Sequence, residues 1–381
     1  MSRFASYSVM VALLVLGAFI IAFSDRVAPS YIPAFVAPAA SSTLFALPDI
    51  AGPPPASQTL DSKKGVGTAG SGYAAPAPVS EKTASAARPP VSEPVSAATT
   101  PRAADSAALD ISAAALRNAL VNIICTVPAG SGLHSISGSG IFVDSKGIIL
   151  TNAHIAQYFL LADRGVSCII RSGSPAAVRY DARLLFISPA WIHANADILT
   201  EAAPSGTGEH DFAFLAVSGN ATSAVSSPPF PFVPLATTPP PAGTPVVIAS
   251  YGAQFLEPNQ VQSALFPTLV FGSVKGVYTF GTNTIDVLAL GGSAAAQEGS
   301  SGGGVADAAG NLVGTITTST VQGSTTSRSL NAITASYIRA DYASETGRAL
   351  DLLLAGATST EVSDFALKIP SLESVLTASL P

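Results

Sequence analysis

An all-β domain at the end of a long stretch without regular period is what this sequence predicts, and three observations predict it. From about residue 120 onwards, short apolar and β-branched segments recur, separated by Gly, Pro, Asn or Asp. They continue over about 230 residues without strand–helix alternation, which favours a barrel or a sandwich over a parallel α/β sheet. Upstream of them the chain turns to Pro, Ala and Ser and follows neither a helical nor a strand period.

The elements follow in order. "MSRFASYSVMVALLVLGAFIIAFSDR" has no charge from Phe4 to Phe23, about the length that crosses a bilayer core as a helix. No convincing small-x-small cleavage site follows it, and the run is long for a signal's core. Residues 1–26 therefore read as a cytoplasmic tip and transmembrane anchor, with a cleaved signal peptide as the alternative. Arg3 biases the N-terminus inward, which leaves the bulk of the chain outside the cytoplasm. Residues 27–108 hold too few large apolar side chains to offset chain entropy, so they read as a disordered linker. A coil of roughly 80 residues has a mean reach of about 50 Å.

A folded domain is expected over 109–345. "DISAAALRNALVN" suits a short helix capped by Asp110, leading into the strand "NIICTV". "SISGSGIFVDSKGIILTNAHIA" reads as two strands about a polar turn at Asp144–Gly147. Further strands are expected in "VSCIIR", "VRYDARLLFIS", "DFAFLAV", "TPVVIASYG", "FGSVKGVYTF", "TIDVLAL" and "GGGVADAAGNLVGTITTS". Residues 346–381 read as a C-terminal tail with one short helix in "GRALDLLLAG" and frayed chain beyond it.

Composition excludes some functions. The formal net charge is −6 and charged residues are only 11%; with no basic run there is no face to neutralise phosphates, so nucleic acid is not an expected partner. Cys125 and Cys168 both lie in apolar strand contexts, where they are either a disulfide of an oxidising compartment or two buried thiols. No Cys-x-x-Cys or paired-His spacing accompanies them, so no metal site is expected.

"EGSSGGG", Glu298 to Gly304, suits either a flexible linker or a turn that presents a nucleophilic serine. Gly299 would let its own amide and that of Ser301 converge on one oxyanion, and Gly302 and Gly303 would leave room for a substrate carbonyl. A serine nucleophile needs a base and a group to orient the base. Of the four histidines, His134 and His193 sit in polar loop sequence. His154 ends an apolar strand, at a turn of small residues that can expose its ring. Asp211 precedes the apolar strand "FAFLAV", where a carboxylate is partly buried and can fix an imidazole tautomer. His210 beside it is expected to be exposed, because neighbouring strand side chains face opposite ways.

In the order His154, Asp211, Ser301, these residues resemble the chymotrypsin-fold serine proteases, most closely their bacterial HtrA branch. The pieces that carry the resemblance are "GSGIFVDSKGIILTNAHIA", "DFAFLAV", "VVIASYG", "GSVKGVY" and "GSSGGGVADAAGNLVGTIT", from about Val121 to Ser319. The resemblance implies two six-stranded β-barrels with a cleft between them. It makes His154 the general base, Asp211 its orienting partner and Ser301 the nucleophile, with Gly299 and Ser301 donating the oxyanion-hole amides. It also implies protein or peptide substrates, no cofactor and no metal. Relatives often form trimers, although no segment here demands a homo-oligomer.

Ser300 departs from the family's usual Asn or Asp before the nucleophile, so zymogen activation by a new N-terminus is not expected. Gly304 stands where Pro is common. The residues after 345 are too few for the peptide-binding PDZ domain of many HtrA enzymes. The side-chain pocket is expected from Ala295 and Ala296 at its base and Thr315, Ile316 and Thr317 along its wall. With no acid at the base, small or medium aliphatic side chains are expected in place of Lys or Arg.

Three rival readings meet the same residues. The G-x-S-x-G pattern suits an α/β-hydrolase elbow, but that class needs a His after the Ser, and none follows His210. A Ser–Lys dyad through Lys275 would leave His154 and Asp211 unexplained. A catalytically inactive protease fold acting as a binding module on a stalk keeps the same architecture, and only reactivity separates it.

Overall fold

The computed structural model describes residues 103–201, 206–221, 228–319 and 323–380. The apolar run Phe4–Phe23 and the linker up to residue 102 lie outside them. Among the described residues, no helix is long and apolar enough to cross a membrane.

Helix α1 (Ala103–Ala119) leads directly into β1 (Leu120–Thr126). The expected cap, Asp110, is an interior residue of α1. The Ala-rich residues upstream are strong helix formers and carry the helix back to Ala103. The buried side chain of Leu116 anchors α1, which packs against β2, β7 and β11.

The first half is the expected six-stranded barrel. β2 (Ile136–Asp144), β3 (Ile148–Thr151), β4 (Ser167–Ser172), β5 (Ala177–Ile187) and β6 (Ala213–Asn220) close with β1 in the order β1-β2-β3-β6-β5-β4. The polar turn between β2 and β3 forms as read. Gly147 donates to the Asp144 carbonyl at 3.1 Å with φ +90°, and Asp144 Oδ1 accepts from the Lys146 amide. The short helix α2 (Ala153–Ala156), with a 3-10 segment after it (Gln157–Arg164), follows β3; α3 (Pro189–Ala194) follows β5.

Cys125 and Cys168 stand opposite each other in the β1–β4 register, with Cα atoms 4.0 Å apart, and form a disulfide. Cysteines that face each other across an antiparallel pair are close enough to bond.

The second half corrects the expected second six-stranded barrel. It is a seven-stranded sheet of β7 (Pro245–Ser250), β8 (Thr268–Ser273), β9 (Gly276–Tyr278), β10 (Val287–Ala289), β11 (Gly304–Asp307), β12 (Leu312–Ser319) and β13 (Leu330–Thr334), ordered β8-β7-β11-β12-β13-β10-β9. "FGSVKGVYTF", read as one strand, is two. Val274 donates to Thr244 beside β7, whereas Lys275 donates to Ala289 in β10. The chain thus changes partners within one residue, and its halves become the two edges of the sheet. Helix α4 (Pro258–Ser263) lies between β7 and β8.

The tail is not frayed. After α5 (Ala335–Thr346) come α6 (Leu350–Ala355), α7 (Thr358–Ala366) and α8 (Ile369–Ala378). They cover the first barrel: α7 packs on β5, and α8 packs on α3 and the 3-10 segment. Buried Phe365 of α7 meets Phe186 of β5 at 6.0 Å between centroids, and Phe186 also meets Tyr342 edge-on at 4.8 Å. At the rim Arg164 pairs with Glu373 at 3.1 Å, and Lys146 donates to the Leu354 carbonyl.

If these helices are part of the folded unit, Phe365→Ala should cost about 3 kcal/mol or more and leave a single unfolding transition. Urea denaturation of the two proteins measures it; no change in midpoint would mean that the tail does not share the barrel's stability.

Candidate active site

His154 is placed by the end of β3. Thr151 Oγ1 donates to the Ser139 carbonyl of β2 at 2.7 Å, Asn152 Nδ2 donates to the Asp211 carbonyl at 2.9 Å, and α2 then turns His154 toward Asp211. Its Nδ1 lies 2.8 Å from Asp211 Oδ2, and its backbone amide donates to Asp211 Oδ1 at 3.0 Å. Asp211 is only 4% exposed, whereas the His154 side chain keeps 21%. The carboxylate at Nδ1 selects the tautomer with its proton there, so that Nε2 carries the lone pair.

Asp211 Oδ2 accepts a second bond, from Thr317 Oγ1 of β12 at 2.7 Å. Burial alone would raise this carboxyl. The charge of His154, its hydrogen bond, the Thr317 hydroxyl and the His154 amide together outweigh burial and hold it below the ordinary carboxylate range.

The loop before Asp211 is fastened from behind. His210 adopts φ +58°, its amide donates to the Tyr337 hydroxyl at 3.0 Å, and its Nδ1 lies 2.7 Å from Asp341 Oδ2. It is half-buried, not exposed as expected, because a left-handed turn replaces the alternation of a strand at this point. Glu345 lies next to the pair, 3.9 Å from Nδ1. Burial pushes its carboxyl above the usual range, although bonds from Ser188 and the Ala190 amide counter the rise.

The two serines of the glycine-rich turn differ in setting. Ser300 is 1% exposed and shares a 3.0 Å hydrogen bond with Ser250 at the end of β7. Ser301 is half-buried, and its hydroxyl has no hydrogen-bond partner among the described residues. Its backbone is tied to the first barrel: the Ser139 amide donates to the Ser301 carbonyl at 2.7 Å, and Ser139 Oγ donates to the Gly299 carbonyl at 2.8 Å. A Cβ at Gly302 would lie 1.9 Å from the Ser139 carbonyl oxygen, so this close approach requires glycine.

The turn also orients its amides. The Glu298 carbonyl accepts from Ala253 at 2.8 Å. Because a trans peptide points its N–H opposite to its C=O, the Gly299 amide faces away from Ala253. Neither it nor the Ser301 amide has a hydrogen-bond partner among the described residues, so both are free to donate to an oxyanion.

The five expected pocket residues are all buried. Ala295, Ala296 and Thr315 are 0% exposed, and Ile316 1%. The Thr315 hydroxyl bonds the Gly303 carbonyl, the Ile316 carbonyl accepts from Gly302, and Thr317 is taken by Asp211. Ser139, Tyr337 and Arg328, which fasten the loops, carried no sequence signal of their own. Lys275 is exposed, its Nζ on Ser273, and takes no part in the cluster.

Residues 138–314 match the family model of the trypsin-like peptidase domain. That segment contains His154, Asp211 and Ser301, and the match supports a serine endopeptidase on a trypsin-like fold. Solved structures similar to this chain include the Rv3671c protease of M. tuberculosis in its active form, with 18% identity, TM-score 0.41, and 67% of this chain and 94% of that one covered. The serine endoprotease of Yersinia pestis has 19% identity and TM-score 0.40, over 66% of this chain and 70% of that one. Deg5 has 15% identity and TM-score 0.39, over 61% and 91%. No curated protein matches the sequence.

The depressed Asp211 carboxyl contributes stability that is present above its unfolded value, about pH 4, and is lost as pH falls through its lower folded value. Wild type should therefore lose more stability between pH 6 and pH 3 than Asp211→Asn, as read by urea midpoints at the two pH values; equal losses would contradict the linkage. Ser139→Ala should leave the buried Tyr251 amide, which donates to Ser139 Oγ at 2.9 Å, without its acceptor. A cost of about 1–3 kcal/mol is expected, and calorimetry measures it.

Proposed function

We propose that this chain is a serine endopeptidase tethered to a membrane and working outside the cytoplasm, with His154, Asp211 and Ser301 as its catalytic triad. The observation that carries the reading is the division of labour in the cluster. The Nδ1 of His154 is held 2.8 Å from a buried carboxylate, while the Ser301 hydroxyl and the Gly299 and Ser301 amides have no partner among the described residues.

His154 Nε2 takes the Ser301 Oγ proton as Oγ attacks the substrate carbonyl, and Asp211 stabilises the imidazolium. The Gly299 and Ser301 amides receive the negative oxygen. His154 then protonates the leaving amine, the acyl-enzyme forms, and a water deprotonated by the same base releases the acid. Hydrogen bonds between base and nucleophile are commonly loose before substrate binds, in keeping with the unengaged Ser301 hydroxyl. The chain's own groups suffice for every step.

The placement outside the cytoplasm rests on the uncharged run Phe4–Phe23 and on the Cys125–Cys168 disulfide, which suits an oxidising compartment. The HtrA branch remains a family-level reading from the motifs.

Ser301→Ala should abolish turnover of unfolded protein substrates with little change in thermal midpoint, whereas Ser300→Ala should keep at least about a tenth of the activity. A fluorophosphonate should label Ser301, and the label should vanish in His154→Ala. A folded wild-type chain that takes no label would be a binding module with a protease fold.

A further inference from the structure

Beside the turn that holds Ser301 lies a charge that the mechanism does not use. Arg328, just before β13, is only 5% exposed. Its Nη1 donates to Gln254 Oε1 at 2.6 Å and to the Ala296 carbonyl at 2.8 Å. Nε and Nη2 donate to the Gly323 carbonyl at 3.1 and 2.9 Å. Its Cζ lies 5.8 Å from the centre of the Phe255 ring.

We propose that Arg328 is a specificity-determining residue of the substrate side-chain pocket, selecting peptides with Glu or Asp on the acyl side of the cut bond. The inference rests on the endopeptidase reading above and deepens it.

Position comes first. Ala296 belongs to the loop that runs into Ser301, the expected base of the pocket. Gln254 follows Ala253, whose amide holds the Glu298 carbonyl. Arg328 therefore reaches the two loops that orient the Gly299 amide, and its third contact, Gly323, precedes it on the β12–β13 connection. On the endopeptidase reading, this places a charge against the buried loop expected to form the base of the side-chain pocket.

Charge comes second. A guanidinium stays ionised at any working pH, and every acceptor around this one is neutral: two backbone carbonyls and an amide oxygen. Buried cations are stable when paired with an anion, and Arg328 has no carboxylate partner among the described residues. Glu298, two residues beyond Ala296, is exposed and does not pair with it. Ala295 and Ala296 offer no charge of either sign. Arginine has five N–H donors; the contacts above use two on Nη1, one on Nε and one on Nη2. Among the described residues, one donor on Nη2 is left for an incoming carboxylate. The small aliphatic preference expected from the two alanines gives way to an acidic one, because the charge bonded to the Ala296 carbonyl is positive.

A purely structural Arg328, fastening three loops, makes a different prediction, since its loss would slow reaction with every substrate alike. The test uses the full chain in detergent and two peptidyl diphenyl phosphonates that differ only at the side chain next to phosphorus, Glu or Val. Each labelling rate is divided by that of a simple fluorophosphonate. Wild type should react at least about tenfold faster with the Glu probe. Arg328→Gln should lose that ratio, and Arg328→Lys, which keeps the charge, should retain part of it. Equal rates or faster reaction with the Val probe overturn the inference while the endopeptidase reading stands. A ratio unchanged in Arg328→Gln overturns it equally, even if both rates fall. Failure of the simple fluorophosphonate to label folded wild type sinks the endopeptidase reading and this inference together.

Discussion

Asp211 Oδ2 accepts one hydrogen bond from His154, which the first barrel supplies, and one from Thr317, which the second sheet supplies. A buried carboxylate is tolerated only where such bonds replace the water it has lost, so the anion makes each half of the fold a condition of the other's stability. The same bonds set the direction of its titration and the tautomer of the imidazole. Asn152 holds the Asp211 carbonyl, Tyr337 and Asp341 hold His210, and the whole loop is braced against one atom's requirement for donors.

A second brace runs through Ser139. It receives the Thr151 hydroxyl on its carbonyl, donates its amide to Ser301, and uses its own hydroxyl both to donate to Gly299 and to accept from Tyr251. Three segments, the end of β3, the end of β7 and the turn that holds Ser301, meet on one small residue of β2. The spacing between the His154 strand and the Ser301 turn is therefore fixed by hydrogen bonds through Ser139 and does not depend on contact between the two side chains.

Much of this was legible in the sequence because it is written locally. The Asp144–Gly147 turn, the apolar strand after Asp211 and the glycines around Ser301 each announce themselves within a few residues. Other parts depend on partners far along the chain. The split of "FGSVKGVYTF" follows from carbonyls at Thr244 and Ala289. The burial of Ala295, Ala296 and Thr315 follows from packing of the second sheet. Arg328 sits in "TTSRSLN", a polar stretch with no period, and its importance arises only where Ala296 and Gln254 reach it. The start of α1 was hidden for a different reason: alanine-rich helix and alanine-rich linker have nearly the same composition.

The C-terminal helices cover the first barrel, which the chain builds earliest. Lys146 meets the carbonyl of a residue 208 positions later, and Arg164 pairs with one 209 positions later. During synthesis the first barrel can close its hydrogen-bond ladder, yet Phe186 has no Phe365 to lie against until the last residues emerge. Such long-range contacts form late and slowly. The fold thus contains a completeness check: a chain cut short near its end presents an aromatic face on β5 that the finished protein conceals.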